Sequence, residues 1–335
     1  GVFMNKCVDQ KDTFVLLSKG KQSYKGNIHC HSTLSDGSLP PEEVVSIYKE
    51  KGYSFLAFTD HDCYHDLRAQ FDTSSFITIP AVECSMGWYR DVNKPELVGF
   101  LGTHSHHLIG LKYDETPFKE GKTTYNIYPD TDKEAVKHTN EFIAELKEKG
   151  FLVMYNHPAW SRAKDEDILP LVGLDFIEIF NYGTIVDTNN GYDNLTWQRL
   201  LDTNHKINAI ADDDNHDYPD GILDSFGGWI NVQAESLNKT AILDAMLNGN
   251  YYSSSGPEIK EFRIENGVAF IECSPVKRIY LKTGPQVRSG MLAFAAEGEY
   301  ITKAEFKIPS YADYIRAEAY IDGDHMAWSH PIYFK

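Results

Sequence analysis

Between Asn27 and His216 six short apolar runs each lead into or out of histidine, aspartate or glutamate, and that recurrence restricts the chain to folds that gather strand ends on one rim. Asn27-Ile28-His29-Cys30-His31 is the first. Residues two apart on an extended chain share a face, so His29 and His31 project together while Ile28 and Cys30 turn away. The run 55–59 leads into Asp60-His61, 76–82 into Glu83 and 151–156 into His157. A stretch with His104, His106 and His107 enters Leu108-Ile109-Gly110, and 207–211 enters Asp212-Asp213-Asp214-Asn215-His216. Chance would scatter such residues over helices and loops. Strand ends facing one rim are where an α/β barrel builds its site.

Helical patterns separate these runs. Pro40-Pro41-Glu42-Glu43 reads as a first turn, with proline's missing N–H harmless and the acids at the positive end. That helix carries Val44, Val45 and Tyr48 and stops at Gly52. A capping box, Thr131-Asp132-Lys133-Glu134, opens a second helix that turns Phe142, Ile143 and Leu146 inward and stops at Gly150. Others are expected over 194–204 and 239–248. Strand and helix in alternation imply a largely parallel sheet with helices outside. Between 87 and 130 the pattern loosens, and Trp88, Tyr89, Lys94-Pro95 and the stretch 113–129 read as substrate-selecting loops over the rim.

After Ser253-Ser254-Ser255-Gly256-Pro257 the character changes. Short alternating runs at 262–264, 268–271, 278–281 and 316–320 are separated by turns such as Asn266-Gly267 and Asp322-Gly323. Two domains are therefore expected, an α/β domain over 1–257 and a small all-β, sandwich-like module over 258–335. His325 and His330 lack accompanying ligand-type residues and read as surface or packing groups.

A net charge of −17 argues against a surface for long nucleic acids. It leaves room for a small anionic substrate, because bound divalent ions reverse the charge within a site. No apolar stretch reaches membrane-spanning length and no signal peptide is visible, so no membrane is expected. Five widely spaced cysteines argue against a disulfide framework and for a reducing, cytoplasmic compartment. Cys30, Cys63 and Cys84 lie near ligand-type residues, but alternation turns Cys30 away from His29 and His31, and packing is the better account of them. No GxGxxG, GxxxxGK[ST] or GxSxG motif follows a strand. The oligomeric state is left open.

In order along the chain, His29-Cys30-His31-Ser32 to Asp36-Gly37, Thr59-Asp60-His61-Asp62, Ala81-Val82-Glu83-Cys84-Ser85, His107-Leu108-Ile109-Gly110, Asn156-His157-Pro158 and Asp214-Asn215-His216 resemble the successive motifs of PHP (polymerase and histidinol phosphatase) metallohydrolases. The resemblance covers roughly 20–255. The closing Ala327-Trp328-Ser329-His330-Pro331-Ile332 also resembles the tail of the carbamate-hydrolase-like, CehA/McbA-type branch. The resemblance implies an irregular seven-stranded (β/α) barrel and up to three divalent ions. His29, His31, Glu83 and Asp214 would hold one ion. Glu83 would bridge to a second, held also by His107 and His157, and Asp36, His61 and His216 would hold a third. Asp36 stands where some members have histidine. His106 rivals His107, and Asp212 and Asp213 rival Asp214.

Imidazoles mixed with carboxylates suit Zn, Mn or Fe. A bridging carboxylate lets two cations sit about 3.5–4 Å apart, and a shared water becomes a hydroxide nucleophile near neutral pH. Asp60 is expected to orient a ligand or accept a proton, and Arg162, with Arg90 as its rival, to meet a phosphate. The expected activity is hydrolysis of a phosphomonoester or small nucleotide phosphodiester in a di- or trinuclear site. The alternatives are hydrolysis of a carbamate, ester or amide by the same site, or a non-catalytic binding protein on a degenerate scaffold.

Overall fold

Pro41 opens the first helix where a missing N–H costs nothing, and Gly52 closes it in the left-handed region at φ +79°. The computed structural model describes residues 7–88, 104–122, 132–218, 223–286 and 290–335, and the fold is mixed α/β. In chain order come β1 (Phe14–Leu17), β2 (Tyr24–Asn27), α1 (Pro41–Glu50), β3 (Phe55–Phe58), β4 (Cys63–Tyr64), α2 (Arg68–Phe71) and β5 (Ile77–Trp88). There follow β6 (Ser105–Lys112), β7 (Gly121–Lys122), α3 (Asp132–Glu148), β8 (Phe151–Tyr155), α4 (Asp165–Ile168), β9 (Phe176–Asn181), α5 (Tyr182–Thr188) and α6 (Asn194–Asp202). Next are β10 (Asn208–Asp212), β11 (Trp229–Val232), α7 (Lys239–Leu247) and β12 (Tyr251–Ser254). The rest is all strand: β13 (Ile259–Glu265), β14 (Val268–Val276), β15 (Arg278–Gly284), β16 (Gly290–Phe294), β17 (Ile301–Lys307), β18 (Tyr314–Tyr320), β19 (Met326–Ser329) and β20 (Ile332–Tyr333).

One large sheet runs β10-β9-β8-β6-β5-β3-β2-β11-β12-β19-β18-β15-β16. The pairs β2–β3, β3–β5, β8–β9 and β9–β10 are parallel, as helical crossovers require. β6 is antiparallel to both β5 and β8. The end of β5 and the two-residue β7 are strand where loops were expected, while β6 is the run that carries His106 and His107. β6 is buried throughout. Residues 89–103 and 123–131, which include Arg90 and Thr131, lie outside the described residues.

Each strand feeds two cores, because alternate side chains take opposite faces. Ile79 and Ala81, Ile109 and Leu111, Leu152 and Met154 share one interior cluster. Val82 and Cys84, Leu108, Val153 and Tyr155 face the other way, toward Phe142, Ile143 and Leu146 of α3 and Trp197 and Leu200 of α6. Beyond β2 and β10 the continuations of the two strands meet: Asp214 N donates to His29 O at 3.0 Å and His31 N to Asn215 O at 3.1 Å. Lower down, Tyr251 Oη and Ser253 Oγ of β12 both donate to Ala209 O of β10 at 2.9 Å. These contacts draw the far strand of the sheet back toward its middle.

A second sheet, β1-β13-β14-β17, packs on the continuation of the first. Leu16, Leu17, Phe262, Ile271, Ile279, Leu281, Ile315 and Ala317 fill the space between them. The sequence places a boundary between 257 and 258, yet β1 pairs with β13 and Val8 bridges to Phe334. Residues 8–17 therefore sit with the C-terminal strands, which a local reading of pattern could not reveal. Arg316 ties the two parts together, donating to Gln198 Oε1 of α6 at 3.0 Å and lying 4.2 Å from the Trp197 ring centre. No described helix is long and apolar enough to cross a membrane.

Candidate metal centre

Glu83 extends the interior row of Ile79 and Ala81 past the last apolar layer, and His107 does the same for Ile109 and Leu111. The result is a fully buried carboxylate surrounded by imidazoles. Glu83 Oε2 lies 3.1 Å from His29 Nε2 and 3.2 Å from both His31 Nε2 and His61 Nδ1. Its Oε1 lies 3.0 Å from His107 Nδ1 and 3.2 Å from His157 Nε2, and accepts from Asn156 Nδ2 at 2.9 Å. The two oxygens thus serve two different groups of histidines.

Asp214 closes the first group, with Oδ1 2.9 Å from His29 Nε2 and 3.0 Å from His31 Nε2. Three further imidazole nitrogens surround Asp36 at 3.6 Å (His216 Nε2), 3.7 Å (His61 Nε2) and 3.8 Å (His31 Nδ1). Asp36 is exposed, so this third group opens to solvent. Donor atoms within 4.8 Å of one another define three groups here: His29, His31, Glu83 and Asp214; His61, Glu83 and His107; His31, Asp36, His61 and His216. His157 joins through Glu83, with its Nε2 also 3.9 Å from Asp214 Oδ2. No cysteine enters any of these groups among the described residues.

The donor set fits divalent ions. Bonds of about 2.0–2.1 Å in tetrahedral geometry put neighbouring ligand atoms about 3.3–3.4 Å apart, close to the spacings found here. Both ring nitrogens of His31 and Nδ1 of His61 are buried without a hydrogen bond. Such atoms are costly unless something else satisfies them. Burial opposes charge on His29 and His31, yet Asp214 and Glu83 raise both, His31 to about 10. Burial likewise disfavours the Glu83 anion, but His29 and His61 hold that carboxyl well below its ordinary value. Burial takes His61 down to about 4. Against its burial, His29 and His31 hold the Asp214 carboxyl well below its ordinary value.

Backbone groups and side chains outside the cluster fix the rings. His29 Nδ1 faces Glu178 Oε1 at 2.8 Å, His157 Nδ1 faces Ser161 Oγ at 3.0 Å, and His216 Nδ1 donates to Asp214 O at 3.0 Å. In each case Nε2 is left pointing inward, the arrangement that orients metal-ligating histidines. His157 (φ +26°) and Asp214 (φ +53°) hold left-handed backbone that non-glycine residues adopt at a cost. Gly183 permits it at Asp214, since a Cβ there would lie 2.6 Å from Asp214 O.

The other expected site residues take different places. His106 turns to the outer face, its Nδ1 2.7 Å from Tyr155 Oη, which leaves His107 facing the cluster. Asp213 accepts from Tyr48 Oη and the amides of Phe226, Gly227 and Gly228, holding a loop. Asp60 accepts from Ser32 N and Oγ and from Ser35 Oγ, so it fixes the turn that carries Asp36. Arg162, expected to meet a phosphate, is exposed and holds left-handed backbone at φ +59°.

Sequence reasoning missed Glu178, which with His29 and Asp212 forms a further buried group. Burial and the neighbouring Glu178 charge push the Asp212 carboxyl well up. The signal was a lone acid inside the apolar run Phe176-Ile177-Glu178-Ile179-Phe180, a position that demands a partner. Also missed were Trp160, edge-on to His157 and His107, and Tyr218, stacked on His216.

The PHP domain profile matches residues 27–222. A 3',5'-nucleoside bisphosphate phosphatase of Chromobacterium violaceum is 33% identical over 91 residues, 26% of this chain and 27% of that protein. A 5'-3' exoribonuclease of Haemophilus influenzae is 30% identical over 95 residues, 28% of this chain and 30% of that protein. The chain thus spans under a third of the length of these curated relatives. A solved two-domain protein of Bacteroides vulgatus, containing a predicted PHP-like metal-dependent phosphoesterase, is similar at 15% identity and TM-score 0.46, covering 97% of this chain and 100% of that one.

Proposed function

The chain belongs to the PHP domain family, and from that premise we propose that it is a metal-dependent phosphoesterase acting on a small phosphomonoester or nucleotide phosphodiester. The observation that carries this reading is Glu83, which offers one oxygen to His29, His31 and His61 and the other to His107 and His157. A carboxylate so shared is the means of holding two cations side by side. His29, His31, Glu83 and Asp214 would hold one ion, Glu83, His107 and His157 a second, and Asp36, His61 and His216 a third. Zn, Mn or Fe suits the donors. Bound there, such ions supply positive charge to phosphoryl oxygens and acidify water.

The chain's own groups do the rest. Glu178, Ser161 and the Asp214 carbonyl hold His29, His157 and His216 with Nε2 inward. Asp60 positions the Ser32–Ser35 turn, and through it Asp36 at the open side. The strands that carry these ligands are read as a seven-stranded barrel, β2-β3-β5-β6-β8-β9-β10, with the strands from β13 onward as a supporting module. A small anionic substrate fits a chain whose overall charge repels long polyanions.

The test is metal analysis joined to turnover. Protein purified without chelator should carry at least two divalent ions per chain and hydrolyse members of a phosphate ester panel, with chelator abolishing activity. A loaded protein inert on every ester, yet active on aryl carbamates or amides, would replace this reading with the other hydrolase. Less than one ion per chain would favour a binding protein.

A further inference from the structure

Three rings form a column running out of the cluster. His31 and His216 stack with centroids 4.3 Å apart and planes 18° apart. Tyr218 lies on His216 at 5.4 Å with planes only 4° apart. The inner end of this column is the fully buried His31, and the outer end is a tyrosine with 45% of its surface exposed. At the other end of the cluster, the Trp160 ring meets His157 at 4.9 Å and His107 at 5.7 Å, nearly perpendicular to both. The cluster is thus flanked by two large aromatic rings, one edge-on and one lying flat.

Tyr218 is not needed to hold His216. The Asp214 carbonyl fixes His216 Nδ1, and Asp224 Oδ2 accepts from His216 N at 2.9 Å. A large flat ring left half in water beside a polar centre therefore asks for another explanation. An aromatic face reads planar rings of any sequence or substitution, since stacking needs only a π surface.

We propose that Tyr218 is a specificity-determining residue, on whose outer face a planar ring of the substrate stacks while its phosphate engages the cluster. The substrate class is then a nucleotide or other ring-bearing phosphate ester rather than a glycerol or sugar phosphate. This inference rests on the reading of the cluster as a phosphate ester site.

Binding to the metal-loaded protein tests it without requiring turnover. Adenosine monophosphate, glycerol 2-phosphate and inorganic phosphate are titrated calorimetrically into wild type, Tyr218→Leu, Tyr218→Phe and Tyr218→Trp. Tyr311→Leu, an exposed tyrosine far along the chain, serves as the control. Wild type should prefer the nucleotide over glycerol 2-phosphate by about tenfold. That ratio should collapse in Tyr218→Leu and persist in the Phe, Trp and Tyr311 variants. No preference in wild type, or a preference that survives in Tyr218→Leu, overturns the inference. Intact preference with no ester hydrolysed would overturn the hydrolase reading alone.

Discussion

Glu178 Oε1 lies 2.8 Å from Nδ1 of His29, on the side of the ring opposite Glu83. The same carboxylate accepts from His157 N at 2.5 Å and from Asn181 Nδ2 at 2.9 Å. It therefore holds one ligand by its side chain and another by its backbone. Partners of this kind set ring orientation and basicity, and losing one typically costs 10–100-fold in metal affinity or activity. Glu178→Gln should weaken metal binding by about that factor, read by competition with a chromogenic chelator. Unchanged affinity would demote Glu178 to packing.

Glu83 is asked for more, because it serves two ions at once. Glu83→Gln keeps the size of the side chain and removes its charge and one good ligand oxygen. At least one ion per chain and nearly all hydrolysis should be lost, while Cys84→Ala, turned to the outer core, changes little. The two variants are compared by metal stoichiometry and turnover. Near-normal activity in Glu83→Gln would end the dinuclear reading.

Truncation after residue 257 removes the partners of β1 and the neighbour of β12. It also uncovers the surface that Tyr314, Trp328 and Tyr333 bury. An unpaired apolar strand edge invites association. The shortened protein should run as aggregates on size exclusion. A monomeric product with wild-type metal content would mean that the C-terminal strands are dispensable to the rest.

His330 gives a pH signature. Burial lowers its pKa to about 3 from 6.5. As pH falls through 6.5 the unfolded chain takes up a proton that the native chain refuses until about 3, so stability is lost over that interval. One such group contributes a slope of about 1.4 kcal/mol per pH unit. Chelator-treated His330→Gln should lose melting temperature less steeply than chelator-treated wild type between pH 6 and 4. Parallel curves would show that His330 is protonated in the native state.

Much of the candidate site was legible because its ligands end apolar runs, where a charged group has no bland place. His29 and His31 declare their common face through a two-residue spacing. His106 and His107 do not, since alternation says that they diverge and not which one faces inward. That is decided by Ile109 and Leu111, whose row only the packed sheet identifies. Glu178 stayed hidden because its partners His29 and Asp212 are distant in sequence. The direction of β6 was equally illegible: a buried strand carries the same apolar pattern whichever way it runs. Pairing of β1 with β13 is non-local and leaves no trace in either segment.

That last pairing sets an order of events during synthesis. Phe14 lies opposite Ile264 in the native sheet. Ribosomes add about 5–20 residues per second, so the first strand leaves the tunnel tens of seconds before its partner exists. Over that interval its buried pair Leu16 and Leu17 must be shielded by something other than the native fold. The nascent chain therefore carries a built-in waiting period, during which a chaperone has its best opportunity to bind.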